Sequence, residues 1–257
     1  MKLFAKYKEK THLIVIIFGV KFKFKNKNIG YAISGENNKI LLKENGITKE
    51  FKPSEKINGL DIQINGNNNI ITLESKQFNN CSMLLQCSNA SIEIGQNCKL
   101  NGFHISAACG NFQKVKIGKN TTSFYTEVYL NEENATLEIG EDCMLSGNIV
   151  IWTTDGHAIM DKDTGEVINQ PTKTVIGNHC WIGYGAHLCK NANLSNDVIV
   201  GARSVVTKAI KDSNVVIAGN PAKIIKYNVQ WDRDSATNKI AQMHAVVERE
   251  SNPHSCL

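Results

Sequence analysis

Apolar residues return every sixth position over a long stretch of the chain. From Ile176 the hexads open with Ile176, Ile182, Leu188, Leu194, Val200 and Val206, and four positions after each opening residue comes Cys180, Ala186, Ala192, Val198, Ser204 or Ile210. An α-helix cannot hold this register, because a six-residue step turns a side chain by about 240°. An uninterrupted strand alternates with period two and has no corner. A period of six fits a coil of short flat strands joined by tight corners, one aliphatic per side pointing inward, with glycine following where the backbone turns closely. Upstream the period loosens: Ile94-Gly95, Ile117-Gly118 and Ile139-Gly140 open similar units 23 and 22 residues apart, so these coils carry small excursions. Leu60–Asn65 and Ile70–Leu73 alternate as strands do, with Asn and Gly at their corners. The pattern predicts one stacked β-coil from about residue 57 to 219.

Such a coil is held by nearest-neighbour stacking and needs covered ends. Residues 1–56 and 228–257 are the expected caps, flanking a coil domain of 57–227. The second cap has a loose helical spacing through Ile240, Met243, Val246 and Val247. Between two well-registered coils, residues 160–173 (MDKDTGEVINQPTK) are polar and contain Gly and Pro. A loop interrupting a rigid repeat is a place to look for function.

Composition sharpens this picture in two ways. The net charge of +5 over 257 residues is local: residues 1–27 hold eight lysines and one glutamate, leaving −2 on the other 230. Within that segment Leu13–Val20 is apolar, far short of the roughly twenty residues a spanning helix needs. It is expected as a strand or helix on the body, or as a basic surface against an anionic leaflet. The eight cysteines are too sparse for a disulfide scaffold, contain no CxxC pair, and are expected as reduced thiols in a cytoplasmic protein, several of them core fillers. The basic run lacks interleaved stacking aromatics on a recognisable nucleic-acid-binding module, which argues against nucleic-acid binding.

Four motifs, in this order, carry a resemblance: Asp155-Gly156-His157; Ile176-Gly-Asn-His-Cys-Trp-Ile-Gly183; Val200-Gly-Ala-Arg-Ser-Val-Val-Thr-Lys208; and Ala218-Gly-Asn-Pro-Ala-Lys223. Over residues 90–227 the chain resembles the hexapeptide-repeat acyltransferases, left-handed parallel β-helix enzymes that use acetyl-CoA. It is most similar to the branch that O-acetylates sugars and bacterial capsule or surface glycans. The resemblance implies the hand of the coil, a cytoplasmic homotrimer with sites between subunits, an acetyl-CoA donor, no required metal, and a carbohydrate acceptor such as a capsule or lipopolysaccharide glycan.

Acetyl transfer to an alcohol needs a base at the hydroxyl and a groove for a long phosphorylated thioester. His157, with an imidazole that accepts protons near neutral pH, is the candidate base, and either Asp155, the nearest carboxylate in sequence, or Glu127 is expected to orient it. His104 is a weaker candidate for the cleft. Glu127 and Trp152 are placed at the acceptor. Glu127 stands where the resembling sugar enzymes carry an Asn, a departure that leaves the sugar open. Trp181, 24 residues after His157, would line the donor channel, with Tyr184, Ala202, Thr207, Lys208, Lys223 and Lys226 on positions that contact coenzyme A in the family. An N-acetyltransferase acting on an amino sugar, a zinc hydratase of the γ-carbonic-anhydrase kind with three converging histidines, and a non-catalytic glycan-binding coil are the alternatives.

Overall fold

The computed structural model describes residues 4–9, 12–17, 20–25, 31–52, 54–170 and 173–251, with side chains from Tyr31 to Ala245 in the last three segments. Its body is a three-sided prism of eight-stranded sheets. Face one stacks Ala32–Ser34, Leu60–Asn65, Cys81–Leu85, Phe103–Ala107, Thr126–Tyr129, Ile149–Trp152, His187–Leu188 and Val205–Val206. Face two runs from Ile47–Glu50 and Lys39–Glu44 to Asn193–Leu194, and face three from Gln77–Asn79 to Val215–Gly219 and Ala222–Tyr227. The stacked strands are parallel. The exceptions are the hairpins at either end, Ile47–Glu50 on Lys39–Glu44 and Ala222–Tyr227 on Val215–Gly219.

In-register stacking converts the hexad period into continuous columns of aliphatic side chains. On face one Ile62, Met83, Ile105, Val128, Ile151, Leu188 and Val206 lie one above another, each at most 3% exposed. The spacing along this column is 21, 22, 23 and 23 residues, then 37 across the loop after Trp152, then 18. Only the last full coil is six residues per side. The earlier coils carry three to five extra residues, which is why their period blurs. The coil also begins upstream of residue 57: Ala32 pairs with Gln63 and Ile40 with Ile71, so part of the expected N-terminal cap is its first turn.

The corners between faces two and three repeat one local solution. The third residue after the inward aliphatic is left-handed in Asn97, Asn120, Asp142, His179 and Asp197, and the fourth, Asn214, in the last coil, with φ of 51–62°. These are the residue types that tolerate that conformation. The next residue turns inward, as Cys98, Thr121, Cys143, Cys180, Val198 and Val215. Glycine after the aliphatic is required by proximity. A Cβ on Gly118 would lie 2.5 Å from the Gly140 carbonyl carbon of the next coil, and one on Gly177 2.5 Å from that of Ser195.

Past the coil, residues 228–235 strap back across this corner. The Trp231 ring, 6% exposed, stacks on His179 at 4.5 Å and donates its indole N–H to the His179 carbonyl at 2.8 Å. Arg233 donates to Asp142 and to the Asn120 and Cys143 carbonyls. The helix α1, Ala236–Ser251, follows as the expected C-terminal helical segment. At the other end, Phe4–Glu9, His12–Ile17 and Val20–Lys25 form an antiparallel sheet, so the apolar stretch of the basic segment is largely a strand. Every cysteine with a described side chain is free, five of them buried and two not.

Because each coil contacts only its neighbours, one interior gap should be felt by the whole stack. Leu137→Ala, at a fully buried position, should lower unfolding free energy by about 2–5 kcal/mol, read by chemical denaturation.

Candidate functional site

The 160–173 loop leaves the edge between faces one and two and is tied down by one buried cation. Lys190 is two residues beyond the inward Leu188, in the slot that Leu85, Ala107, Leu130 and Thr153 fill in earlier coils. Its ammonium, with 8% of the side chain exposed, pairs with Asp155 and donates to the Asn169 carbonyl at 2.8 Å. Asn169 closes the base of the loop: its amide donates to Asp155 at 3.0 Å and to the His157 carbonyl at 2.8 Å, while its Oδ1 accepts from the Ile159 N–H at 2.8 Å. A buried ammonium is tolerable only with such compensation. Lys190 and the Asn169 amide together hold the Asp155 carboxyl below the usual carboxylate range.

This settles where Asp155 goes. Its carboxylate serves the loop anchor, and the imidazole of His157 is exposed with no hydrogen bond among the described residues. The expectation that Asp155 orients the His157 ring is not met, because the chain bends through Gly156 (φ 74°) between the two residues and the carboxylate is engaged by Lys190 and Asn169. The backbone of His157, by contrast, is fixed through Asn169.

The outer surface of face one is lined by rings. Glu127 accepts from the Tyr125 hydroxyl at 3.0 Å and from the Tyr129 hydroxyl at 2.6 Å, and these hydrogen bonds, with its charge behind them, push both phenols up. Tyr129 stacks on Trp152 at 4.9 Å, and Trp152 lies parallel to His187 at 6.5 Å with 9° between planes. Burial pushes the His187 imidazole below its ordinary value. His104 pairs in register with Glu127; its Nδ1 lies 2.8 Å from the Ser82 hydroxyl and its ring meets Tyr125 edge-on at 5.5 Å.

Face three carries the residues expected at the donor. Trp181, Ile199, Val216 and Lys226 stand opposite one another on four adjacent strands. At the usual strand spacing that row spans about 14 Å. Trp181 is 37% exposed and donates its indole N–H to Ser146 at 3.2 Å. Lys223 pairs with Ala218 in the same hairpin and is exposed. Tyr184 and Ala202 lie exposed at the edge between faces three and one, where Tyr184 bonds Asn148 through its hydroxyl and the Arg203 guanidinium lies 5.9 Å from its ring. Thr207 and Lys208, also exposed, follow Val206 at the far edge of face one, away from the Trp181 row.

One chain therefore does not join the two halves: His157 projects from the edge between faces one and two, and Trp181 from the opposite face three. His179 is a corner residue held by Asp197 at 2.8 Å and Trp231, while His187 lies on face one. Among the described residues no cluster of three or more His, Cys, Asp or Glu could hold a metal ion. Two residues that matter here had weak signals. Lys190 is a lysine at an inward register position, which the spacing from Leu188 could have exposed. Trp231 lies outside any period.

No protein-family model matches the chain. It is 33% identical over 189 residues to a polysialic acid O-acetyltransferase of Neisseria meningitidis, covering 65% of this chain and 87% of that one. It is 32% identical over 150 residues to a polysialic acid O-acetyltransferase of Escherichia coli O1:K1, 58% of this chain and 47% of the relative, so it spans about half that protein's length. The crystal structure of the polysialic acid O-acetyltransferase OatWY superposes with a TM-score of 0.65 at 28% identity, covering 83% of this chain and 97% of the other. That of the polysialic-acid-specific acetyltransferase NeuO gives 0.54 at 24% identity, which bears on the fold alone.

A folded-state carboxyl pKa lowered by a cation gives an anchor that is complete above the ordinary Asp value, about 3.9, and is lost as pH falls through the lowered one. Amide hydrogen exchange over residues 159–168, corrected for its intrinsic pH dependence, should stay slow down to about pH 4 and accelerate below. Asp155→Asn should exchange faster at neutral pH and lose the acid transition.

Proposed function

Because the chain belongs to the hexapeptide-repeat acyltransferase family, whose coil is a left-handed parallel β-helix, we propose that it moves an acetyl group from acetyl-CoA to a hydroxyl of a carbohydrate, with His157 as general base. The observation carrying this reading is an exposed imidazole whose backbone is pinned beside an aromatic face, on a chain whose relatives are named O-acetyltransferases. The imidazole accepts the hydroxyl proton as the sugar oxygen attacks the thioester carbonyl. The carbon–sulfur bond breaks, and the same proton passes to the departing thiolate.

Each side of the chain supplies part of what that reaction needs. Trp181 and Lys226, in one row about 14 Å long, suit an extended pantetheine chain ending in phosphates. Lys223 and Lys226 would pair with those phosphates as point charges, with Lys208 reaching them from another subunit. Tyr184 and Ala202 border the channel at the next edge. Since His157 and Trp181 project from different sides, a neighbouring subunit must complete the site, and a homotrimer satisfies this by symmetry. The loop tip supports such a contact, because Ile159, Met160, Val167 and Ile168 are all more than 40% exposed around the Met160–Val167 bridge. Acceptors of this class, capsule or lipopolysaccharide glycans, place the enzyme in the cytoplasm. The lysine-rich segment 1–27 would hold it against the anionic inner leaflet. Among the described residues no helix is long and apolar enough to cross a membrane.

His157→Ala should lower acetyl transfer by about 10²–10⁴-fold while coenzyme A binding, measured by calorimetry, is retained. Trp181→Ala should instead raise the KM for acetyl-CoA. Light scattering should give three chains per particle; a monomer retaining full activity would overturn the shared-site reading.

A further inference from the structure

The proposed reaction leaves the acceptor open, and the charge distribution over the three faces narrows it. The face-two strands contain six lysines and the face-three strands three. The face-one strands contain no lysine or arginine at all. Its strands' charged side chains are Asp61 and Glu127; at its edges Lys190 is buried and paired with Asp155, and the exposed Arg203 and Lys208 flank only the last strand, three strands away from Glu127. A surface for a polyanion would be built the other way, with cations facing each ligand carboxylate.

What the face offers instead is a stacking platform next to a hydrogen-bond acceptor. Tyr129 and Trp152 present overlapping rings, and Trp152 is 39% exposed. Glu127 spends one lone pair of each carboxylate oxygen on Tyr125 and Tyr129. A carboxylate has about four acceptor positions, so roughly two remain for hydroxyls of a ligand. The C–H face of a pyranose suits the rings and its equatorial hydroxyls suit the carboxylate. His157 follows Trp152 by five residues, within about 17 Å of chain.

We propose that the acceptor is an uncharged glycan, one ring stacked on the Tyr129–Trp152 pair and its hydroxyls donating to Glu127, in contrast to the anionic polymer for which the relatives are named. This rests on the acetyltransferase reading and specifies its acceptor site. Glu127 is then the residue that excludes anionic sugars, since a carboxylate-bearing ring stacked beside it meets a like charge with no lysine or arginine on its own strand or on the strands either side to offset it.

The test uses the full chain, acetyl-CoA, and three tetrasaccharides of equal length: maltotetraose and chitotetraose, both uncharged, and α2,8-linked tetrasialic acid. Binding is read by saturation-transfer NMR and transfer by thiol release. The uncharged probes should bind, and at least one should be acetylated with a kcat/KM about tenfold or more above that for tetrasialic acid at low salt. Glu127→Gln should narrow that ratio several-fold by improving the anionic probe. Trp152→Ala should raise the KM for the uncharged acceptor about tenfold with the KM for acetyl-CoA within twofold. Preference for tetrasialic acid, or no binding of either uncharged probe, overturns the inference while leaving the acyltransferase reading in place. So does a ratio unmoved by Glu127→Gln, or a change of particle mass in either variant, which would make the patch a subunit contact. Failure to bind coenzyme A would sink the underlying reading instead.

Discussion

The fold depends on parallel strands stacking directly above one another. That arrangement leaves no freedom in where a side chain points. Each inward position lies under the same position of the preceding coil, so Ile62, Met83, Ile105, Val128, Ile151, Leu188 and Val206 form a single column although up to 37 residues separate neighbours in sequence. The corners are under equal pressure. Three coils bring Asp142, His179 and Asp197 into line at one of them, each in the left-handed conformation. The same stacking brings His179 against the Asp197 carboxylate at 2.8 Å and under Trp231. This histidine occupies a motif position of the repeat, and its surroundings are those of a corner residue with a strap across it.

A lattice so strict also explains how chemistry is introduced. Strands cannot move, so variation enters where the chain leaves the lattice and in the outward residues. The loop after Trp152 lengthens one coil without disturbing the column, because Ile151 and Leu188 remain in register across it. Lys190 shows what that costs locally: an inward slot filled elsewhere by Leu, Ala or Thr takes a lysine, whose ammonium is compensated by Asp155 and the Asn169 carbonyl. The loop is thereby fixed at its base while its apolar tip projects. Rigid support with a free tip is what a group needs when it must meet a partner surface.

How much of this was legible follows from the same geometry. The hexads after Ile176 were plain because those coils are close to six residues per side, and every opening residue is buried. The upstream coils run to 21–23 residues, so a period search finds their corners and loses their sides. The first turn, Ala32–Ser34 with Lys39–Glu44, is short and closes on a hairpin, which hid it among residues expected to be a cap. Asp155 was visible as a carboxylate beside His157, but its partner Lys190 lies 35 residues away and becomes a neighbour only through stacking. Nothing local announces Trp231, whose role is to cover a corner built from three separate coils.

The outward residues obey the register as strictly as the core does, and this gives the surface a meaning that composition conceals. A net charge of +5 describes no face of the prism. Lysines recur on face two, where Lys173 pairs with Glu138 on the adjacent strand, and they are absent from the strands of face one. Consecutive coils there place His104 beside Glu127, and Tyr129 beside Trp152. Stacked this way, side chains from separate coils make a continuous aromatic surface with a single acidic centre between two phenols, which no one segment of the sequence encodes. A polymer lying along this face would meet a different outward row every 4.7–4.9 Å, the strand spacing. The identities in those rows, more than the base at the edge, then decide which polymer is accepted.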